Sequence, residues 1–362
     1  MDVLCLDGGS SSLKFARFRR DGEAAPRRLV ADSRAARSTT LAELWQHDGR
    51  PPDAVAHRIV FGGERYVAPV IADDAVLADL ERLVEIDPLH LRDELDLVYA
   101  ARTCGRSVPN VLCFDTAFHQ RMPDIAKRLP LPPDVDPSLR RYGFHGLSYE
   151  YVVETLGAAL QGRAIVAHLG SGASLCAMRD GAPVDTTMGY SALGGLMMGT
   201  RAGDLDPGVV LRLMRLGYDD AASLADFLYR RCGLAGVSGT DGDEKALEAA
   251  AQDDRRAREA LDLFCYQLLK SAGAMIAALG GLDALVFTGG IGEHSATIRS
   301  CLCRALRYAG VVLDETANSR NRDVISSSQS AVRIRVVSTD ENAVMARHAY
   351  ALLTNGEPAA AR

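Results

Sequence analysis

The 362-residue sequence has no apolar run long enough to span a bilayer, which argues against a membrane-spanning helix. No secretory leader is legible at its start, where residues 3–6 read directly as a strand. Basic charge is not in excess. A net charge of −6 removes any general electrostatic reason to bind nucleic acid or an anionic membrane, so an anionic ligand has to be held by local cations. The eight cysteines form no C-x-x-C pair and no zinc spacing, and read as reduced core thiols of a cytoplasmic protein. There is no low-complexity segment and no Walker-type G-x-x-x-x-G-K-S/T loop. What is present, 48% hydrophobic and 24% charged residues over a length suited to two domains, is the composition of a soluble globular chain.

The stretch around which the rest is organised is Asp7-Gly8-Gly9-Ser10-Ser11-Ser12-Leu13-Lys14-Phe15. It lies between two apolar runs, residues 3–6 and 13–18, that read as the arms of a hairpin. Glycines and serines at such a reversal offer close backbone approach and several N–H and O–H donors, and Lys14 adds a positive charge. That suits the terminal phosphates of a nucleotide, and equally an ordinary Ser/Gly turn.

Further elements follow from periodicity and caps. A helix is expected near residues 41–47 and a strand over 54–60. Helices starting at Asp73 or Asp74 and spanning 91–104 come next, then a buried strand over 108–114. The proline-rich run 129–137 suggests a crossing between domains. A second unit then repeats the opening design: helix 148–160, strand 164–168, turn Gly170-Ser171-Gly172, strand 175–179, with Asp180-Gly181 closing the hairpin. Gly8 and Gly170, Ser12 and Ser174, Leu13 and Leu175, and Arg17 and Arg179 correspond at one offset, which suggests a duplicated fold with two phosphate-facing hairpins across a cleft. Asp206-Pro207 opens a helix, 244–279 is largely helical, and strand 284–288 runs into Gly289-Gly290-Ile291-Gly292-Glu293. Strand 332–337 precedes Ser338-Thr339-Asp340-Glu341, a capping-box spacing, and a final helix. The pattern is mixed α/β in two units.

The stretches DGGSSSLKF, HRIVFGGE, FDTAFHQRMP, RRYGFHGLS, HLGSGAS, DTTMGYSALGGLMMGTRAGDLDP, GLAGVSG, FTGGIGEH and STDENAVMA, in that order, closely resemble the acetate kinases of the acetate and sugar kinase/Hsp70/actin superfamily. The resemblance runs from Val3 to the last helix. It implies a duplicated ribonuclease H-like, actin-like ATPase fold, with residues 1–117 plus 340–362 as one domain and 118–339 as the other. It also implies a homodimer formed through the second domain, and Mg²⁺ (or Mn²⁺)-dependent phosphoryl transfer between ATP/ADP and a small carboxylic acid.

Carried over position by position, the resemblance makes Arg58 the residue that orients the substrate carboxylate and Arg201 a stabiliser of the equatorial phosphoryl oxygens. His145 becomes a donor to those oxygens, with His168 and His90 as further active-site histidines. Asp115 becomes the essential acidic residue, a helix cap being its bland alternative. Ser10, Ser12 and Lys14 support phosphate. Gly170, Ser171 and Gly172 meet the β/γ-phosphates, while Asp243, Lys245 and Gly289-Gly290-Ile291-Gly292 surround the adenosine. Val60, Leu89, Phe144 and Ala192 line the acyl pocket, and Asp7 and Glu341 hold the metal. His47, His57 and His348 keep a core or surface reading.

The departures from the family pattern are specific. Asp7 replaces an asparagine, Ser171 an asparagine, Lys245 an arginine, Ala192 a proline and Gly194 a glutamate, and the A-P-L-H-N-P run reads Asp87-Pro88-Leu89-His90-Leu91-Arg92. Lysine lacks the planar face of arginine for adenine stacking. The small Ala192 motivates propionate as a substrate. Ser171 and Lys245 keep another phosphoryl donor, or a catalytically weak nucleotide-binding relative, in view.

Overall fold

The computed structural model describes residues 1–8, 13–19, 41, 44–45, 50–87, 90–132 and 134–355. Ser10, Ser12 and Leu89 therefore lie outside the described residues, as do His47 and most of the helix expected near 41–47. The chain divides into two compact units, one of residues 1–120, 144–151 and 340–362, the other of 121–143 and 152–339. Residues 144–151 thus group with the first unit, and the proline-rich run 129–137 lies inside the second instead of bridging the two.

The first unit is built on a five-stranded sheet ordered β2-β1-β3-β5-β4. Strands β1 (Asp2–Gly8) and β2 (Leu13–Arg19) form the expected hairpin, while β3 (Ala54–Ile59) and β5 (Asn110–Phe114) lie parallel to β1 and β4 (Val70–Ile71) closes the edge antiparallel. The pleat explains why β1 reads as an uninterrupted apolar run. Val3 and Cys5 face Val344, Met345 and Ala349 of the C-terminal helix Glu341–Asn355, whereas Leu4 and Leu6 face Leu97 and Ala101 of the helix Leu91–Cys104. Both faces are covered, so both residue parities must be apolar.

The second unit carries strands β6 (Arg163–Leu169), β7 (Ala173–Arg179), β8 (Ala182–Thr186), β9 (Ala284–Thr288) and β10 (Arg333–Val336), ordered β10-β9-β6-β7-β8. β6 to β8 are antiparallel, and β9 and β10 join parallel to β6. Asp180 and Gly181 both take positive φ, as a tight Asp-Gly hairpin turn requires, and this turn creates β8. The helix Arg255–Leu279 packs on β6 and β7.

Hairpin, parallel neighbour and covering helices recur, so the architecture is duplicated. The single sequence offset does not carry into the registers. The first hairpin closes on the pair Gly8–Leu13 over four residues, the second on Leu169–Ala173 over three. A one-residue difference in loop length shifts one arm against the other, so no single offset aligns both arms: the closing pairs match Gly8 with Leu169 and Leu13 with Ala173.

Candidate active site

Parallel strands end together, and in each sheet the chemistry collects at their carboxyl ends, where open α/β sheets bind ligands. In the first unit Asp7 lies near the end of β1, Arg58 near the end of β3 and Asp115 immediately after β5. The register of the three strands makes them neighbours although they are far apart in sequence. Arg58 donates from Nε (3.1 Å) and Nη2 (2.6 Å) to Asp115 Oδ2, and from Nη1 (3.1 Å) to Asp7 Oδ1. Glu341, the first residue of the C-terminal helix, brings Oε2 to 3.7 Å from Arg58 Nε. Three of the five guanidinium N–H groups are engaged by Asp115 and Asp7, which leaves two for a ligand among the described residues.

Three carboxylates around one guanidinium leave an excess of negative charge. Burial raises the Asp7 carboxyl, but the nearby Arg58 and Lys14 charges outweigh it and hold the group below the ordinary range. Burial pushes Glu341 up to about 7 against the pull of Arg58, with Asp115 and Asp7 adding to the rise. Lys14 is exposed and sits opposite Asp7 in the hairpin ladder. Among the described residues no group of three or more His, Cys, Asp or Glu is arranged to hold an ion. The donors available, Asp7 and Glu341, are hard oxygens of the kind that hold Mg²⁺ with only one or two carboxylates, the rest of its shell being water and phosphate. In charge and donor type the residues fit that ion.

Asp115 is fully buried, and its second oxygen Oδ1 accepts the Leu147 N–H at 3.4 Å, at the start of the helix Gly146–Leu156. Ion-pair partner and helix cap, alternatives at first sight, are both realised. The approach is tight: a Cβ on Gly146 would stand 1.9 Å from the Asp115 carbonyl oxygen. Just before that helix His145 adopts a left-handed φ of 58°, which a non-glycine residue tolerates only where its surroundings hold it. His119 Nε2 bonds the Phe144 carbonyl at 2.8 Å, and Phe61 and Phe144 stack at 6.2 Å. Val60 and Phe144 are both buried, and the Val60 N–H is held by buried Glu94 at 2.9 Å, a partner that its place in the first turn of the helix did not advertise. His90 Nδ1 lies 3.1 Å from fully buried Asp87, and Arg92 forms a 2.7 Å salt bridge with Glu81. His57 is a core residue bonded to Asn110 at 2.8 Å, burial lowering its pKa to about 4, and His348 pairs with Glu150.

The capping box expected at Ser338–Glu341 does not form. Asp340 caps the C-terminal helix, accepting the Ala343 N–H at 3.1 Å, which leaves Glu341 to face Arg58.

In the second unit the glycine-rich stretches converge at the ends of β6 and β9. The turn 170–172 is closed by Gly170 N–H to Gly172 carbonyl at 2.9 Å, and Ser171 accepts the Gly199 N–H at 3.2 Å. A Cβ on Gly170 would lie 3.8 Å from Gly290 N and 3.9 Å from His168 Nε2. Gly289 opens the short helix Gly289–His294 at φ +76°, with room for a Cβ refused by the Leu169 carbonyl at 2.6 Å. Gly242, at φ +81°, packs on the Gly199 carbonyl, and next to it Asp243 caps the helix Glu244–Ala250 through the Ala246 N–H at 2.8 Å, with Lys245 exposed in its first turn. Arg201 is buried, and its Nη1 donates to the carbonyl of buried Ala192 at 2.7 Å. Sequence reasoning named both residues but not this bond, because a backbone acceptor leaves no mark on the sequence. Fully buried Arg299 was also missed; it donates to the Gly292 carbonyl (2.8 Å) and to Asn318 and Asn321.

Two β-hairpin-led, five-stranded α/β sheets, with the candidate site residues at the strand tips, define the two-domain actin-like ATPase class. The crystal structure of Porphyromonas gingivalis acetate kinase matches with a TM-score of 0.85 at 33% identity, covering 98% of this chain and 100% of that one. That of a Francisella tularensis propionate kinase matches with a TM-score of 0.87 at 30% identity, covering 96% of this chain and 98% of that one. A Nitrobacter hamburgensis acetate kinase is 41% identical, over 99% of this chain and 98% of the relative. The profile of the Acetokinase family matches residues 30–347. The chain belongs to the acetokinase family.

Proposed function

We propose that the protein is an acetate kinase, catalysing ATP + acetate ⇌ ADP + acetyl phosphate by direct in-line attack of the carboxylate on the γ-phosphate. The observation that carries the reading is the Arg58 guanidinium, held by Asp115 and Asp7 at the tips of three parallel strands with two N–H groups left over among the described residues. A carboxylate is already ionised at pH 7 and needs no general base. The task is to bring two anions together and neutralise the transferring phosphoryl group, which is work for fixed cations.

In this reading Arg58, oriented by Asp115, takes the substrate carboxylate with its two remaining N–H groups. Arg201, anchored by the Ala192 carbonyl, and His145 donate to the phosphoryl oxygens, with His168 and His90 in support. The turn 170–172 and Gly289-Gly290-Ile291-Gly292 hold the nucleotide, with Asp243 and Lys245 at the adenosine, and the family resemblance assigns Val60, Phe144, Leu89 and Ala192 to the acyl group. Mg²⁺, when held by Asp7 and Glu341, supplies charge neutralisation on the phosphates. Because Ala192 is small, propionate is accepted alongside acetate.

Homodimerisation through the second unit belongs to the same proposal. The helix Pro207–Met214 and its flanks expose Leu205, Val209, Leu211, Met214 and Leu216, apolar side chains that a second copy could cover. A cytoplasmic location is in keeping with eight free thiols, and among the described residues no helix is long and apolar enough to cross a membrane.

Hydroxylamine trapping of acyl phosphate, with Mg-ATP and formate, acetate, propionate or butyrate, tests the reading directly. Hydroxamate from acetate that disappears in Arg201→Ala supports it. Absence of product from all four acids sinks it and directs the search to another phosphoryl donor.

A further inference from the structure

The nucleotide turn and the chain leading to Glu341 are laced together by backbone and side-chain hydrogen bonds. Val337, directly after β10, donates its N–H to the Phe287 carbonyl at 2.9 Å, and the Thr288 hydroxyl donates to the Thr339 hydroxyl at 3.1 Å. Both bonds lay segment 337–339 along the end of β9, where the turn begins. Glu293, in the short helix opened by Gly289, completes the attachment: Oε2 accepts the Ser338 hydroxyl at 2.7 Å and Oε1 the Thr339 N–H at 3.4 Å. Of these contacts the Ser338–Glu293 bond is the shortest. The next residues along the chain are Asp340, the helix cap, and Glu341, which faces Arg58. Nothing in the reaction itself uses Glu293: it is half-buried, and both its carboxylate oxygens are occupied by this segment.

We propose that Glu293 is a positioning residue that couples occupancy of the Gly289–Gly290 turn to the placement of segment 337–341. The inference rests on the nucleotide reading given above. A ligand that stiffens the turn stiffens the helix carrying Glu293, and through its two bonds restricts segment 337–339. Without Glu293 the turn still binds nucleotide, but the segment keeps only the Val337–Phe287 and Thr288–Thr339 bonds and its ordering weakens. Coupling of this kind needs no displacement, only a shared loss of freedom, and its observable is amide exchange.

The test is hydrogen–deuterium exchange of the full chain with and without ADP, on wild type, Glu293→Ala and Ser338→Ala. Ser338 is exposed, so its variant reports even if the Glu293 change impairs folding. In wild type, ADP is expected to slow exchange in peptides covering 170–172, 289–291 and 337–343. In the variants the first two remain protected, and protection of 337–343 falls by about tenfold. Steady-state kinetics should agree: KM for ATP rises severalfold while KM for acetate stays near wild type. Equal protection of 337–343 in wild type and variants overturns the proposal, as does a wild type that protects both turns but not 337–343. If ADP protects none of the three segments, the nucleotide reading itself fails and the coupling falls with it.

Discussion

Arg58 places two N–H groups on a single oxygen of Asp115, Oδ2, while Oδ1 accepts the Leu147 N–H. One buried carboxylate therefore fixes both the guanidinium and the start of the helix that follows His145. Asp115→Asn keeps an acceptor but loses the charge that orients Arg58. The expected result is a kcat lower by on the order of 10²–10⁴, with KM for ATP changed by less than about threefold, read by hydroxamate formation.

The Arg201–Ala192 bond uses a backbone carbonyl, so substitution at Ala192 changes pocket volume without releasing the arginine. Ala192→Val should leave acetate turnover within about threefold and reduce kcat/KM for propionate by about 10–100-fold, the ordinary worth of a methylene in an apolar pocket. Comparable losses for both acids would remove Ala192 from the pocket.

At Gly289 the backbone is left-handed and a Cβ would stand 2.6 Å from the Leu169 carbonyl. Gly289→Ala is expected to destabilise by about 1–3 kcal/mol in thermal unfolding. It should also raise KM for ATP more than KM for acetate. A larger effect on acetate would contradict the placement of nucleotide at this turn.

Glu244, between Asp243 and Lys245 in the chain, provides a pH dependence. Burial, reinforced by the bond to Glu248 and its charge, pushes its carboxyl from 4.5 up to about 8. The folded state then binds this proton more tightly than the unfolded chain, so its contribution is full below about pH 4.5 and is lost as the pH rises through about 8. Glu244→Gln removes the ionisation. Its Tm should exceed that of wild type at pH 8.5, with the gap narrowing towards pH 5. A gap independent of pH would place the effect in packing.

Where structure is dictated locally, the sequence was legible. The helix Leu91–Cys104 was read to the residue from its apolar spacing, and Asp206-Pro207 marked a helix start that the structure repeats. Strand β4 escaped because two residues carry no period, and the helix Gly233–Ser238 because its glycines suggest a loop. Gly233 is there for a tertiary reason, since a Cβ would meet the Met198 carbonyl at 2.2 Å. At the site, motifs named Asp7, Arg58 and Asp115, but only the parallel register makes them neighbours. Ser338–Glu341 shows a local rule losing to a nearer competitor: Asp340 stands directly before the helix and takes the cap. Glu94 and Arg299 went unnoticed because their partners are backbone or amide groups dispersed in sequence.

The strands β1, β3, β5, β6 and β9 are buried along most of their length and carry the candidate site residues at or just beyond their carboxyl ends. The two stretches answer to different selection. A buried strand body asks only for an apolar residue of suitable volume, and many sequences supply one. The tip asks for one atom in one place. Mutational tolerance should therefore fall along each of these strands from base to tip. Drift over long times would erase the similarity of the bodies first, leaving relatives recognisable by short, widely separated islands of identity.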